Sequence, residues 1–149
     1  ALKSPFILTV GNNKTKRMNT KIVMISSCIF LGALGITFTF IPDEIISGLS
    51  VTPNPISSLS LQLLGALYLG FAMLNWMAKG SLIGGIYNRP IAIGNFMHFA
   101  VGALALIKII TKIHAYSEIV ISLTAVYSVF AILFGYVFRT NPSSIEKKN

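Results

Sequence analysis

The sequence predicts an all-α fold: an integral membrane four-helix antiparallel bundle with both termini cytoplasmic. The 149 residues have a mean hydropathy of +0.74, and only 11% of them are charged, against roughly a quarter in soluble domains. The apolar residues also fall into four runs, each about twenty residues long, and a helix of that length crosses a bilayer. The chain is therefore too apolar for a single water-soluble core.

The four predicted spans form one transmembrane domain, residues 22–138, and cover residues 22–41, 59–78, 91–110 and 119–138. The first is an uncleaved span, because no A-x-A-like cleavage site follows it. Pro42 ends this span and begins a short interfacial helix. Pro90 suits the first turn of the third span, and Pro142 stops the fourth.

The two ends of the chain are basic or polar. Residues 1–21 form a basic extension, and residues 139–149 form a polar tail. Met18, shortly before the first span, is the predicted native start. Ten of the twelve Lys and Arg residues lie on the side that holds both ends and the 79–90 loop. Because Lys and Arg gather on the cytoplasmic side, we expect cytoplasmic termini and a bacterial inner (cytoplasmic) membrane location.

Composition excludes several classes of function. The net charge of +8 does not indicate nucleic-acid binding, because the basic residues flank the spans and there is no polar domain. Cys28 is the single cysteine, so an intramolecular disulfide is excluded. His98 and His114 are predicted at opposite depths, and no aspartate-rich motif occurs, so we expect no metal and no cofactor. The expected partners are membrane lipids; a second copy of the chain or another membrane protein stays open.

A small or polar residue recurs every three or four positions on each predicted span. This spacing places each set on one side of its helix, and small residues let helices pack closely in lipid. We expect all four faces to turn inward. In chain order, the four spans contribute the following sets: Cys28, Gly32, Gly35 and Thr39; Gly65, Tyr68, Ala72 and Asn75; Asn95, His98, Gly102 and Ala105; and Thr124, Ser128, Ala131 and Gly135.

His98 is the main candidate for function, because it is the one ionisable residue well inside a predicted span. Asn95 lies one turn away on the same face, and Asn75 reaches the same depth from the second span. The predicted ligand-binding pocket faces the cytoplasm and is lined by His98, Asn95, Asn75, Tyr68, Tyr87 and Arg89. The alternative is structural: the polar groups make interhelical hydrogen bonds worth about 0.6–2 kcal/mol each. No catalytic residue is assigned.

The second span contains a Gly- and Tyr-containing segment, Leu63-Leu64-Gly65-Ala66-Leu67-Tyr68-Leu69-Gly70. With this segment, four short spans and cytoplasmic ends, the chain resembles the DoxX-like small bacterial four-helix membrane proteins over residues 22–138. The resemblance implies the architecture, and no residue role is carried over from it.

These observations predict a small multi-pass membrane protein that is a non-catalytic accessory protein or a lipid-like-ligand-binding bundle. Two alternatives stay open. A small transporter or channel subunit would need a continuous polar path, whereas the polar residues thin out beyond His98. A membrane enzyme acting on an apolar substrate would use His98 as acid or base, with Asn75 and Asn95 orienting it.

Overall fold

The regular structure of the described residues is entirely helical. The computed structural model describes residues 20–80, 89–110 and 117–139. Their helices are α1 (Thr20–Phe40), α2 (Pro42–Gly48), α3 (Pro55–Ala78), α4 (Arg89–Ile110) and α5 (Ser117–Arg139). The expected start at Met18, most of the basic extension, the loop that carries Tyr87, and the tail beyond Arg139 lie outside the described residues.

Four of these helices, α1, α3, α4 and α5, are long and apolar enough to cross a membrane. They overlap the four apolar runs of the sequence, so the prediction of an all-helical protein with four helices of membrane-spanning length and hydropathy is confirmed. Large apolar side chains also remain on the outside of the bundle: Ile56 is 78% exposed, Met77 75% and Ile132 72%. Such a surface suits acyl chains and indicates an integral membrane protein.

Local hydrogen bonds fix the start of α3. Asn54 is its N-cap: the Asn54 side chain accepts from the backbone N–H of Ser57 (2.9 Å), and Ser57 Oγ accepts from the backbone N–H of Asn54 (3.1 Å). Pro55 then occupies the first turn, where its missing N–H is not needed. The Ser58 hydroxyl donates to the carboxylate of Asp43, which ties α2 to α3.

The bundle consists of two extensively packed helix pairs, α1 with α3 and α4 with α5. Between α4 and α5, the ring of Tyr127 packs on Gly102, and the ring of Phe96 packs on Gly135. Contacts between the two pairs are fewer and lie along α1–α5 and α3–α4. At the first of these seams, the ring of Phe30 meets the ring of Tyr127, with centroids 5.9 Å apart.

The expectation of one inward small-residue face per helix is confirmed only on α3, where the whole set is buried. On α1, α4 and α5, one member of each set is buried: Gly35, Asn95 and Thr124 respectively. Large side chains fill the core instead, namely Met24, Leu31, Phe99, Tyr127, Phe130 and Phe134. The physical reason is that glycines on α4 and α5 receive a ring of the adjacent helix and do not face a common axis.

Gly35 and Gly65 permit the close approach of α1 and α3. A Cβ at Gly65 would lie 2.5 Å from Thr39 Oγ1 and 2.9 Å from the backbone oxygen of Gly35. Real Cβ atoms do not approach other atoms this closely, so an added methyl group must displace the helices.

We therefore expect Gly65→Ala to lower the free energy of unfolding by about 1–3 kcal/mol, through overpacking. The matched control is Gly70→Ala in the same helix, where an added Cβ meets nothing within 4 Å; it should leave stability unchanged or slightly higher. Reversible unfolding in detergent micelles measures both values. Equal losses in the two variants would contradict the role of this close approach.

Candidate functional site

Three buried polar side chains join α1, α3 and α4; we call Ser27, Asn75 and Asn95 the amide cluster. Asn75 Nδ2 donates to Asn95 Oδ1 (2.8 Å) and to Ser27 Oγ (3.0 Å), and Asn95 Nδ2 donates back to Asn75 Oδ1 (2.7 Å). Asn95 Nδ2 also donates to the backbone oxygen of Ile91 (2.9 Å). All three side chains have 0% exposure. Each amide thus uses both of its N–H donors and its oxygen inside the protein.

A second polar contact links α3 to α5, about two turns of α3 away from the amide cluster. The hydroxyl of Tyr127 donates to the hydroxyl of Tyr68 over 2.6 Å, and both side chains are buried. A buried tyrosine hydroxyl requires a partner, and each tyrosine supplies it for the other. The phenol rings remain in the apolar core.

His98 is surrounded by aromatic rings. The distances from its ring centroid are 4.9 Å to Phe71, 5.1 Å to Phe99, 5.2 Å to Tyr68 and 5.8 Å to Tyr127. We call these four rings the aromatic enclosure. The side chain of His98 is half-buried, and in the part of the chain that the structure describes its Nε2 is buried without a hydrogen-bond partner.

The structure divides the predicted polar pocket into two parts. Asn95 and His98 lie one turn apart on α4, but the amide of Asn95 bonds to Asn75 and to the backbone of Ile91. His98 instead contacts Tyr68, another predicted pocket residue, through its ring. The amides and the imidazole therefore have separate sets of partners.

The two remaining pocket residues lie elsewhere. Arg89 is exposed at the start of α4, with its guanidinium carbon 5.6 Å from the ring centroid of Phe138 on α5. This is a cation–π contact at the end of the bundle. Tyr87 lies outside the described residues.

Four residues around these polar groups were missed by the sequence analysis: Ser27, Phe71, Phe99 and Tyr127. Tyr127 carried a usable signal, since a tyrosine inside an apolar span needs a hydrogen-bond partner. Ser27 directly precedes Cys28, so a helix register shifted by one residue would have included it. Phe71 and Phe99 carried no signal, because lipid-facing and core phenylalanines look alike in an apolar span.

The chemistry available at His98 is limited by its surroundings. Acid–base catalysis uses a positioned imidazole within hydrogen-bond reach of a reacting group or an orienting partner. In residues 20–80, 89–110 and 117–139, His98 has ring contacts and its buried Nε2 has no hydrogen-bond partner, and no group of three or more His, Cys, Asp or Glu residues could hold a metal ion. His98 is therefore held by ring packing, and its Nε2 is buried without a hydrogen-bond partner among the described residues.

Comparisons of the chain with protein-family models, with curated proteins and with solved structures find no significant match. The resemblance to DoxX-like proteins therefore stays a prediction that rests on the number of spans and on the second helix.

The amide cluster gives a prediction for stability. We expect Asn75→Leu to lower the free energy of unfolding by about 1–3 kcal/mol, because the buried amide of Asn95 loses its partner. The double variant Asn75→Leu/Asn95→Leu should lose less than the sum of the single variants, since it removes both polar groups. Unfolding in micelles provides the double-mutant cycle.

The control for this cycle is Ser26→Ala, since Ser26 is exposed and its hydroxyl bonds only to the backbone of its own helix. It should leave stability nearly unchanged. Strictly additive losses in the cycle would mean that the two amides do not depend on each other.

Proposed function

We propose that this chain is a multi-pass protein of the bacterial inner membrane that binds a lipid-like molecule and catalyses no reaction. Its fold would be an antiparallel four-helix bundle with both termini cytoplasmic. The observation that supports the binding function is that His98 Nε2 has no hydrogen-bond partner among the described residues, while the imidazole is packed in the aromatic enclosure and the two tyrosine hydroxyls there bond to each other. A molecule with an apolar body and a single hydrogen-bonding group complements this combination.

The pairing of residues along neighbouring helices supports the antiparallel arrangement. Ser27 near the start of α1 bonds to Asn75 near the end of α3, and Asn75 bonds to Asn95 near the start of α4. Phe96, also near the start of α4, packs on Gly135 near the end of α5. The excess of Lys and Arg on the side of both ends supports cytoplasmic termini.

Binding of an apolar ligand fits the site better than catalysis does. An enzyme that uses His98 as acid or base would need Asn75 and Asn95 to orient the imidazole, but these amides bond to each other, to Ser27 and to the backbone. A transporter would need a polar path beyond the amide cluster. The next polar contact in the described core, the pair Tyr68–Tyr127, is closed on itself.

Thiol accessibility tests the topology. In a Cys28→Ser background, single cysteines are placed at the exposed positions Ser47, Gly80 and Arg139. We expect a membrane-impermeant thiol reagent to label Ser47→Cys in intact bacterial cells, and the other two only after the membrane is opened. Labelling of Ser47→Cys and Gly80→Cys from the same side would contradict the antiparallel arrangement.

Mass spectrometry of co-purifying small molecules tests ligand binding. We expect wild-type protein to retain a specific lipid-like species, and His98→Phe to lose it while unfolding at the same or a higher temperature. The phenyl ring preserves the aromatic contacts and removes a buried nitrogen without a partner, which otherwise costs about 1–3 kcal/mol.

Two further variants sharpen this experiment. His98→Gln retains a hydrogen-bonding group and should keep part of the ligand. Met97→Ala, at an exposed neighbouring position on α4, should keep all of it. The same bulk lipid in wild type and His98→Phe would overturn the ligand-binding proposal and leave His98 as a packing residue.

A further inference from the structure

A groove lies along the first half of α5, beside Phe30 of α1. Its volume is about 460 Å³, within the range of roughly 300–1,000 Å³ of small-molecule sites. It is lined by Phe30, Glu118, Ile119, Ser122, Leu123 and Val126. The groove lies where contacts between the two helix pairs are few.

The lining changes from polar to apolar along the groove. Glu118 and Ser122 stand one turn apart in the first turns of α5, and Val126 follows one turn further on. Phe30 closes the far end, since its ring packs on Tyr127, just beyond Val126. The groove therefore has a charged end and an apolar end.

The length of the groove matches one leaflet of a bilayer. Val126 lies eight positions after Glu118, which corresponds to about 12 Å of helix at 1.5 Å per residue. Half of the hydrocarbon core of a bilayer is about 15 Å thick. With α5 crossing the membrane, Glu118 would stand at the interface and Phe30 near the middle of the bilayer.

The lining favours an acyl chain over a helix of a partner protein. A partner helix would place only its apolar side chains in the groove and would leave the charge of Glu118 unmatched, whereas a lipid also supplies a headgroup at that end. A single acyl chain is narrow enough to lie between the side chains of α1 and α5.

The negative charge of Glu118 favours a lipid with a cationic headgroup. This carboxylate is exposed at the start of α5, and no residue in the described ranges is hydrogen-bonded or ion-paired to its side chain. A purely structural role for Glu118 is to complement the helix dipole from the first turn of α5. That role does not explain why an apolar groove begins beside it. A cationic headgroup at this depth gains a charge-assisted hydrogen bond from the carboxylate.

We infer that the groove binds one acyl chain of a phospholipid whose headgroup carries a primary ammonium. The ammonium meets Glu118, and the chain runs along Ile119, Leu123 and Val126 to Phe30. The inference rests on the proposed function in one respect, namely that the four long helices lie in a bilayer. It adds a second lipid site, whose lining does not include His98.

Native mass spectrometry of the full chain tests this inference. The protein is released from nanodiscs that contain equal amounts of phosphatidylethanolamine and phosphatidylglycerol. Wild type should retain the ethanolamine lipid preferentially. Glu118→Gln should lower that preference by roughly fivefold, the effect of one charge near the membrane surface. Glu44→Gln, an exposed acid on α2 that does not line the groove, should leave it unchanged.

A second variant tests the groove itself. Ser122 is exposed, so Ser122→Phe should fill the groove without disturbing the core, and it should remove the preferentially retained ethanolamine lipid while any ligand held at His98 stays. Unchanged lipid preference in Glu118→Gln, or unchanged retention in Ser122→Phe, would overturn the inference. Loss of a dimer or of a bound protein on Ser122→Phe would also overturn it, because a protein would then be the occupant.

Failure of this inference is distinguishable from failure of the proposed function. If the protein resists extraction from membranes by alkaline carbonate and keeps the expected thiol-labelling pattern, the membrane topology stands whatever the groove binds. Recovery of the protein in the aqueous fraction would contradict the premise, shared by the proposed function and this inference, that the four long helices lie in a bilayer.

Discussion

The reciprocal hydrogen bonds between Asn75 and Asn95 are the interaction on which the arrangement of the helices depends. The two amides lie on different helices and are fully buried, and Ser27 adds a third helix to the same cluster. Neither water nor lipid can replace a lost partner at that position, so an unpaired amide would carry its full desolvation cost. The cluster thereby fixes the depth and rotation of α1, α3 and α4 relative to one another.

The helices pack closely within the pairs α1–α3 and α4–α5 and make fewer contacts between the two pairs. Within each pair, glycines allow close contact: Gly35 meets Gly65, and Gly102 receives the ring of Tyr127. Between the pairs, bulky rings such as Phe30 make the contact and leave space beside them. The groove lies beside the α1–α5 seam, whereas the aromatic enclosure combines rings from α3, α4 and α5.

Much of the fold could be predicted because it depends on length and hydropathy alone. Four apolar runs can satisfy their backbone hydrogen bonds in lipid only as helices or as a closed barrel, and runs of about twenty residues match helices. The inward face was predictable only on α3, where polar and small residues from Gly65 to Asn75 share one side. On the other helices both faces are apolar, so spacing could not distinguish a core phenylalanine such as Phe99 from a lipid-facing one.

The sequence by itself determined the class of protein, the number of long helices and the importance of Asn75, Asn95 and His98 as polar residues within spans. The tertiary structure alone decided their partners. It joined the two amides to each other, placed His98 among aromatic rings and set Glu118 at the end of an apolar groove. The physical reason is that hydrophobicity acts through the amount of apolar surface, which composition reveals, whereas hydrogen bonds and ring contacts require a particular rotation of each helix, which only packing fixes.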